Sequence, residues 1–205
     1  MERRELLKII AVLSGAAIVG GDIFLSGCKT AIKYPEGLLA AIDIALLNEV
    51  ADTIIPVTDT PGAKEAKVGE FMQVFVTDCY TKKEQKVFTD GLIILQALSN
   101  KQFGKDFSKL TPAERNSLLT VLETEAKGSN LQVLEKEKVV REQAHKNMIE
   151  FVGTPSHYYT MIKQLTLMGY FTSEIGMTKA LKLLPVPGKY DGAYPYKKGD
   201  KAWAI

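Results

Sequence analysis

Apolar residues step along this chain at intervals of three and four, and no stretch alternates well enough to build a sheet. From Pro35 to Ile55, Leu38, Leu39, Ile42, Leu46, Val50 and Ile54 mark one helical face, with Pro35 suited to the first turn and Pro56 as the stop. A short helix is predicted over Val68 to Tyr80. Thr81 with Glu84 then forms a capping-box pattern that opens a longer helix through about Gln102. Thr111-Pro112-Ala113-Glu114 repeats the device: the Thr111 oxygen can accept the free amide of Glu114, Pro112 has no amide to satisfy, and the Glu114 carboxylate can answer Thr111. Leu118, Leu119 and Leu122 give that helix its buried face, whereas Glu135 to Glu150 reads as a solvated helical face with Glu137/Arg141 and Glu142/Lys146 at the step of four. Tyr158, Ile162, Leu165 and Tyr170 carry a further apolar stretch, and Ser173 opens another short helix through Leu184. The expected fold is all-α, a single helical domain over residues 35–184.

The two ends differ from this body. Residues 1–27 have the charged, apolar and small-residue layout of a cleaved export signal, and the uncharged stretch Ile9 to Gly21 is only 13 residues, short of the roughly 20 that a spanning helix needs. Leu25-Ser26-Gly27-Cys28 resembles a lipobox, which makes Cys28 the expected lipidated first residue and residues 28–34 a tether. Arg3-Arg4 followed by Leu6, Leu7 and Lys8 resembles a twin-arginine export signal, although the same pair also serves as the positive region of a general signal. Either route places the mature chain in a bacterial cell envelope, lipid-anchored on the periplasmic side. At the other end, prolines and glycines of residues 185–205 exclude a regular helix, and Tyr190, Tyr194, Tyr196 and Trp203 are costly to leave in water. That segment is expected to be an extended arm lying along a surface, its own domain's or a partner's.

Few residue patterns in this chain carry chemistry. With 26 Lys and Arg against 24 Asp and Glu, there is no dense basic field to support nucleic-acid binding. Two cysteines can make neither a disulfide scaffold nor the four-cysteine set of an iron–sulfur cluster. Once Cys28 is lipidated, Cys79 is the remaining thiol, and its neighbours Phe75, Val76 and Tyr80 predict a packed small hydrophobe. No phosphate loop, glycine-rich dinucleotide fingerprint or haem attachment sequence occurs. His145 and His157 are candidates for metal ligation, set against a surface His145 and a half-buried His157. Asp52, Asp59, Glu65 and Glu70 cluster near Thr58-Asp59-Thr60-Pro61-Gly62, where turn formation explains Asp59 as readily as ion binding does. Glu174 at a helix start reads as a cap.

Four ordered segments carry a resemblance. They are Ala51 to Ala63 with Val68, Phe71 and Asp78-Cys79-Tyr80; Phe103-Gly104-Lys105 with Phe107 and Leu110-Thr111-Pro112; Leu165 to Gly176; and Pro185 to Gly192. Together they resemble the gluconate 2-dehydrogenase subunit 3 family over roughly residues 35–195. The resemblance implies a small non-catalytic subunit that binds no cofactor itself. A large partner subunit would hold FAD and oxidise a sugar or polyol, a cytochrome c subunit with haem would take the electrons, and the small subunit would help export or anchor the flavoprotein. Asp59, Pro61, Gly62, Tyr170, Phe171, Glu174, Tyr190 and Trp203 are then the candidate partner contacts. Members often carry a cysteine after the Tyr-Asp-Gly of the tail; Ala193 stands there, which speaks against a tail disulfide to Cys79. A stand-alone envelope lipoprotein with a structural or binding role, and a stand-alone enzyme using His157 or the acidic cluster, are the competing readings.

Mass spectrometry of the mature N-terminus is expected to find an acylated Cys28, and replacing both Arg3 and Arg4 with lysine is expected to block export. An unmodified Cys28 would remove the lipid anchor, and undisturbed export the twin-arginine route.

Overall fold

The computed structural model describes residues 42–186, 188 and 191–204. Cys28, Arg3, Arg4 and Tyr190 therefore lie outside the described residues, as do residues 35–41 of the first predicted helix. Within the described residues there are five α-helices and no strand: α1 (Ile44–Ile54), α2 (Val68–Cys79), α3 (Lys82–Phe103), α4 (Pro112–Lys146) and α5 (Tyr158–Phe171). A 3-10 turn at Phe107–Lys109 joins α3 to α4, and a π-helical turn at Gly176–Ala180 follows α5. The all-α expectation holds. Among the described residues, no helix is long and apolar enough to cross a membrane.

Local chemistry sets most of the boundaries. The first helix starts later than Pro35: Asp43 is extended, and its carboxylate accepts the Leu46 amide at 3.0 Å, so the helix opens at Ile44. Both capping boxes form as the spacing dictates. The Glu84 carboxylate accepts from the Thr81 amide at 2.8 Å, and that of Glu114 from the Thr111 amide at 2.7 Å. α3 ends at Gly104, whose φ of +67° is the left-handed value that a side chain would resist. α2 lacks a cap of its own, because Lys67 before it has φ +54° and makes no side-chain bond to the helix. Asn48 of α1 supplies the cap from outside, its Oδ1 accepting the Gly69 amide at 2.9 Å and its amide donating to Glu70 at 3.1 Å. At the other end of α2, buried Gln85 donates to the Val76 and Thr77 carbonyls, both at 3.0 Å.

α5 packs against all four other helices. It buries Tyr158, Tyr159, Met161, Ile162, Leu165, Thr166, Gly169 and Tyr170 in a core shared with Leu47 and Val50 of α1, Met72 and Val76 of α2, Phe88 and Leu95 of α3, and Leu118 and Leu122 of α4. Two glycines let the helices close in. A Cβ on Gly91 would lie 2.2 Å from Tyr158 Cγ, and one on Gly169 would lie 2.5 Å from a ring carbon of Phe71.

The apolar face at Leu118–Leu122 and the charged stretch from Glu135 belong to one helix of 35 residues, about 52 Å long at 1.5 Å per residue. Only its first half is packed, at Leu118, Leu119, Leu122 and Ala126. The second half is held by the returning loop: Asn130 Oδ1 accepts the His157 amide at 2.9 Å, and Glu137 accepts the Thr154 amide and hydroxyl at 2.8 and 2.6 Å. Arg141 lies 3.7 Å from Glu137 and over the Phe151 ring, which anchors the Glu137/Arg141 pair read from the spacing.

Gly91→Ala is expected to destabilise the fold by about 1–3 kcal/mol through overpacking against Tyr158. Gly128→Ala, in α4 with nothing within 4 Å of the new Cβ, is expected to stabilise it by about 0.5–1 kcal/mol. Paired urea titrations read both signs.

Candidate partner-binding surface

The first part of the surface is the loop after α1. Ile55 caps α1, and the Ala63 amide returns to the Ile55 carbonyl at 2.9 Å, closing the segment between them into a tight excursion. Inside it the Thr58 amide donates to the Thr60 carbonyl at 3.0 Å, and the Thr58 hydroxyl to Asp59 at 3.0 Å. Asp59 thus has a turn-forming partner and is exposed. Gly62 is buried where a Cβ would lie 2.6 Å from Asp52 Oδ1 and 2.9 Å from the Val57 amide nitrogen. That close approach makes a glycine necessary.

The second part is the C-terminal end of α5, which the fold brings to the same place. The Tyr170 hydroxyl donates to the Pro61 carbonyl at 2.6 Å across 109 residues of sequence. The Tyr170 ring meets Phe171 edge-on at 5.1 Å between centroids. Ser173 Oγ donates to the Tyr170 carbonyl at 2.6 Å and accepts the Gly176 amide at 3.0 Å. A Cβ on Gly176 would sit 1.9 Å from the Tyr170 carbonyl oxygen, so only glycine lets the chain fold back here. The helix expected from Ser173 to Leu184 is in consequence shorter and wider: the chain is helical at Glu174 and Ile175, runs through the π-turn Gly176–Ala180, and stops at Leu181. The candidate contacts divide accordingly. Asp59, Phe171 and Glu174 are exposed, as are Val57, Leu167 and Met168, and Pro61 is half-buried. Gly62 and Tyr170 are buried and position that surface from beneath, with Tyr170 only 1% exposed.

The third part is the arm. Lys182 bridges to Trp203 in parallel register, the Lys182 amide donating to the Ala202 carbonyl and the Ala204 amide to the Lys182 carbonyl, both at 2.9 Å. The Lys182 ammonium stands 5.5 Å from the Trp203 ring centroid and 6.0 Å from that of Tyr194, and the two rings meet edge-on. Trp203 is therefore fixed in place while 45% of it stays exposed.

The remaining candidates are not assembled into a site. Among the described residues, no group of three His, Cys, Asp or Glu side chains is placed to hold a metal. His145 is exposed on α4, and half-buried His157 caps α5, its Nδ1 accepting the Tyr159 amide at 3.3 Å; burial pushes its imidazole pKa down. The acidic cluster near the turn is dispersed, with Asp59 on Thr58, Glu70 on Asn48, and Asp52 Oδ1 buried without a hydrogen-bond partner against Gly62. Cys79 is exposed, which corrects the packed thiol expected from its neighbours. It lies on the same stripe as buried Val68, Met72 and Val76 but is the last residue of α2, beyond the edge of the core.

Sequence reading missed the strongest ionic contact. Glu49 of α1 binds Lys64 from the turn and Arg115 from α4, each at 2.5 Å. Arg115 also donates to the Ser108 and Leu110 carbonyls, and its guanidinium lies 5.5 Å from the Phe107 ring centroid. The Lys64 hydrogen bond, with Arg115 in support, holds the Glu49 carboxyl below its ordinary range against partial burial. Partners 66 residues apart leave no local spacing to read.

A family model described as gluconate 2-dehydrogenase subunit 3 matches residues 41–188. No curated protein and no solved structure matches the chain.

Tyr170→Phe is expected to cost about 1 kcal/mol for the lost bond to Pro61, read by urea titration. Glu49→Gln is expected to destabilise at neutral pH. Because the folded-state pKa of Glu49 is depressed, the wild type's advantage should be full above its ordinary value of 4.5 and fade as pH falls through the lower folded value.

Proposed function

Because the chain belongs to the gluconate 2-dehydrogenase subunit 3 family, we propose that it is the non-catalytic small subunit of a flavin-dependent, gluconate 2-dehydrogenase-like oxidoreductase. In this reading it binds the FAD-containing catalytic subunit and helps to export or anchor it. The observation that carries the proposal is the family match, which runs from the start of α1 to the start of the arm.

The disposition of side chains supports a binding role. The polar groups with defined partners secure the fold: Glu49 joins α1 to the turn and to α4, Asn48 caps α2, and Glu137 holds the loop before α5. Exposed apolar groups occur on both segments that the Tyr170–Pro61 contact joins, Val57 on the turn and Leu167, Met168 and Phe171 on the last turns of α5, and exposed apolar side chains of this kind are what protein partners cover. No glycine-rich dinucleotide fingerprint occurs in the sequence, so the FAD is assigned to the partner. Electrons would pass from it to a haem-bearing cytochrome c subunit. The complex would sit on the periplasmic side of the envelope, with residues 1–27 as the export signal and lipid on Cys28.

Affinity capture of the full-length tagged chain from detergent-solubilised membranes of its host is the test. The expected eluate contains a large flavoprotein, shows FAD absorbance, and oxidises a polyol or gluconate with a dye acceptor. A chain recovered alone and free of flavin would reject the proposal in favour of a stand-alone lipoprotein.

A further inference from the structure

We infer that the C-terminal arm docks on an acidic face of a partner protein, its lysines meeting carboxylates and its Trp203 groove receiving an apolar side chain. The inference rests on reading the chain as a subunit of a larger complex.

Charge is the first argument. Residues 179–205 hold six lysines against two aspartates, whereas residues 42–178 hold 15 Lys and Arg against 18 Asp and Glu. The chain's small positive balance thus conceals a basic arm on a slightly acidic body. Lys197, Lys198 and Lys201 are exposed, so their charge is available to a surface outside the chain. Such a cluster steers association with a complementary surface and selects against a basic one.

Geometry is the second. The Lys182–Trp203 bridge and the Lys182 ammonium over the Trp203 and Tyr194 rings hold Tyr194 and residues 202–204 against Lys182. The Lys201 ammonium ties the arm again by donating to the Lys179 carbonyl. The fold therefore bears part of the ordering cost that a loose tail would incur on binding. Beside the bridge lies an open groove of about 490 Å³, lined by Thr178, Leu181, Leu183, Leu184, Lys201 and Trp203. An apolar floor with an ammonium at the rim suits an aromatic or aliphatic residue flanked by carboxylates. Tyr196 and Val186 remain 76% and 80% exposed, so the chain's own body leaves them uncovered.

Backbone chemistry separates a protein from a lipid surface. Leu183, Leu184 and Val186 make no backbone hydrogen bond to another described residue. A polypeptide edge can pair with these groups, whereas hydrocarbon cannot, and irregular backbone is not tolerated in contact with lipid tails.

The test repeats the affinity capture with the Lys197→Glu/Lys198→Glu/Lys201→Glu variant and with Trp203→Ala, and reads FAD per captured chain. Each is expected to lower the flavin yield by about tenfold or more, the scale of a lost interface anchor. Capture by the unmodified chain is expected to weaken as NaCl is raised. Wild-type flavin yield from the triple variant, or capture indifferent to salt, would overturn the inference while leaving the subunit reading intact. An unmodified chain that captures no flavoprotein would sink both. Vesicles containing phosphatidylglycerol supply the remaining arm, with Cys28→Ser in both chains so that no acyl group carries them onto the membrane: if the chain with native lysines sediments, the one with the three lysine changes does not, and the triple variant's flavin yield is unchanged, the arm binds lipid and the inference is wrong.

Discussion

Everything in this fold leans on α5. A helix that packs on four neighbours must bury more than a narrow stripe, and α5 does so with paired apolar positions from Tyr158–Tyr159 through Gly169–Tyr170. Its two ends tie distant parts of the chain together. Asn130 of α4 accepts the backbone amide just before its first turn, and the Tyr170 hydroxyl at its last turn reaches the Pro61 carbonyl. Gly91 and Gly169 set how near the neighbours can come, because at both positions a methyl group would overlap an aromatic ring. Dispersion and burial grow steeply with such closeness, and the small residues make it possible.

That arrangement separates residues that shape a surface from residues that can meet a partner. Tyr170 and Gly62 lie beneath the exposed group of Val57, Asp59, Phe171 and Glu174, and a change to either would move that group without touching anything outside the chain. Gly176 belongs with them, since its missing side chain is what allows the segment after α5 to fold back on the Tyr170 carbonyl. A short family motif can therefore mix buried supports with exposed side chains.

The local rules were legible in the sequence. Both capping boxes follow from side chains within three residues of each boundary, and the helix over Val68 to Cys79 from its own spacing, although the Asn48 side chain that caps it lies 21 residues away. What escaped depends on distance or on rims. Arg115 and Glu49 meet across three segments, and the π-turn at Gly176 follows from the position of a carbonyl six residues earlier. Cys79 shows that periodicity gives the direction of a side chain without showing where the core ends. For the candidate surface, only the three-dimensional arrangement distinguished the buried Gly62 and Tyr170 from the exposed Asp59, Phe171 and Glu174.

The long helix α4 has a further consequence for how the protein opens. Its first half shares the common core, and its second half is secured chiefly by Asn130, Glu137 and Arg141 to the loop at residues 151–157. Packing that differs this much along one helix is expected to divide it into separate cooperative units. Amide protons near Leu122 should then exchange only when the core is lost, and those near Val139 when the loop lets go, giving one continuous helix two very different lifetimes.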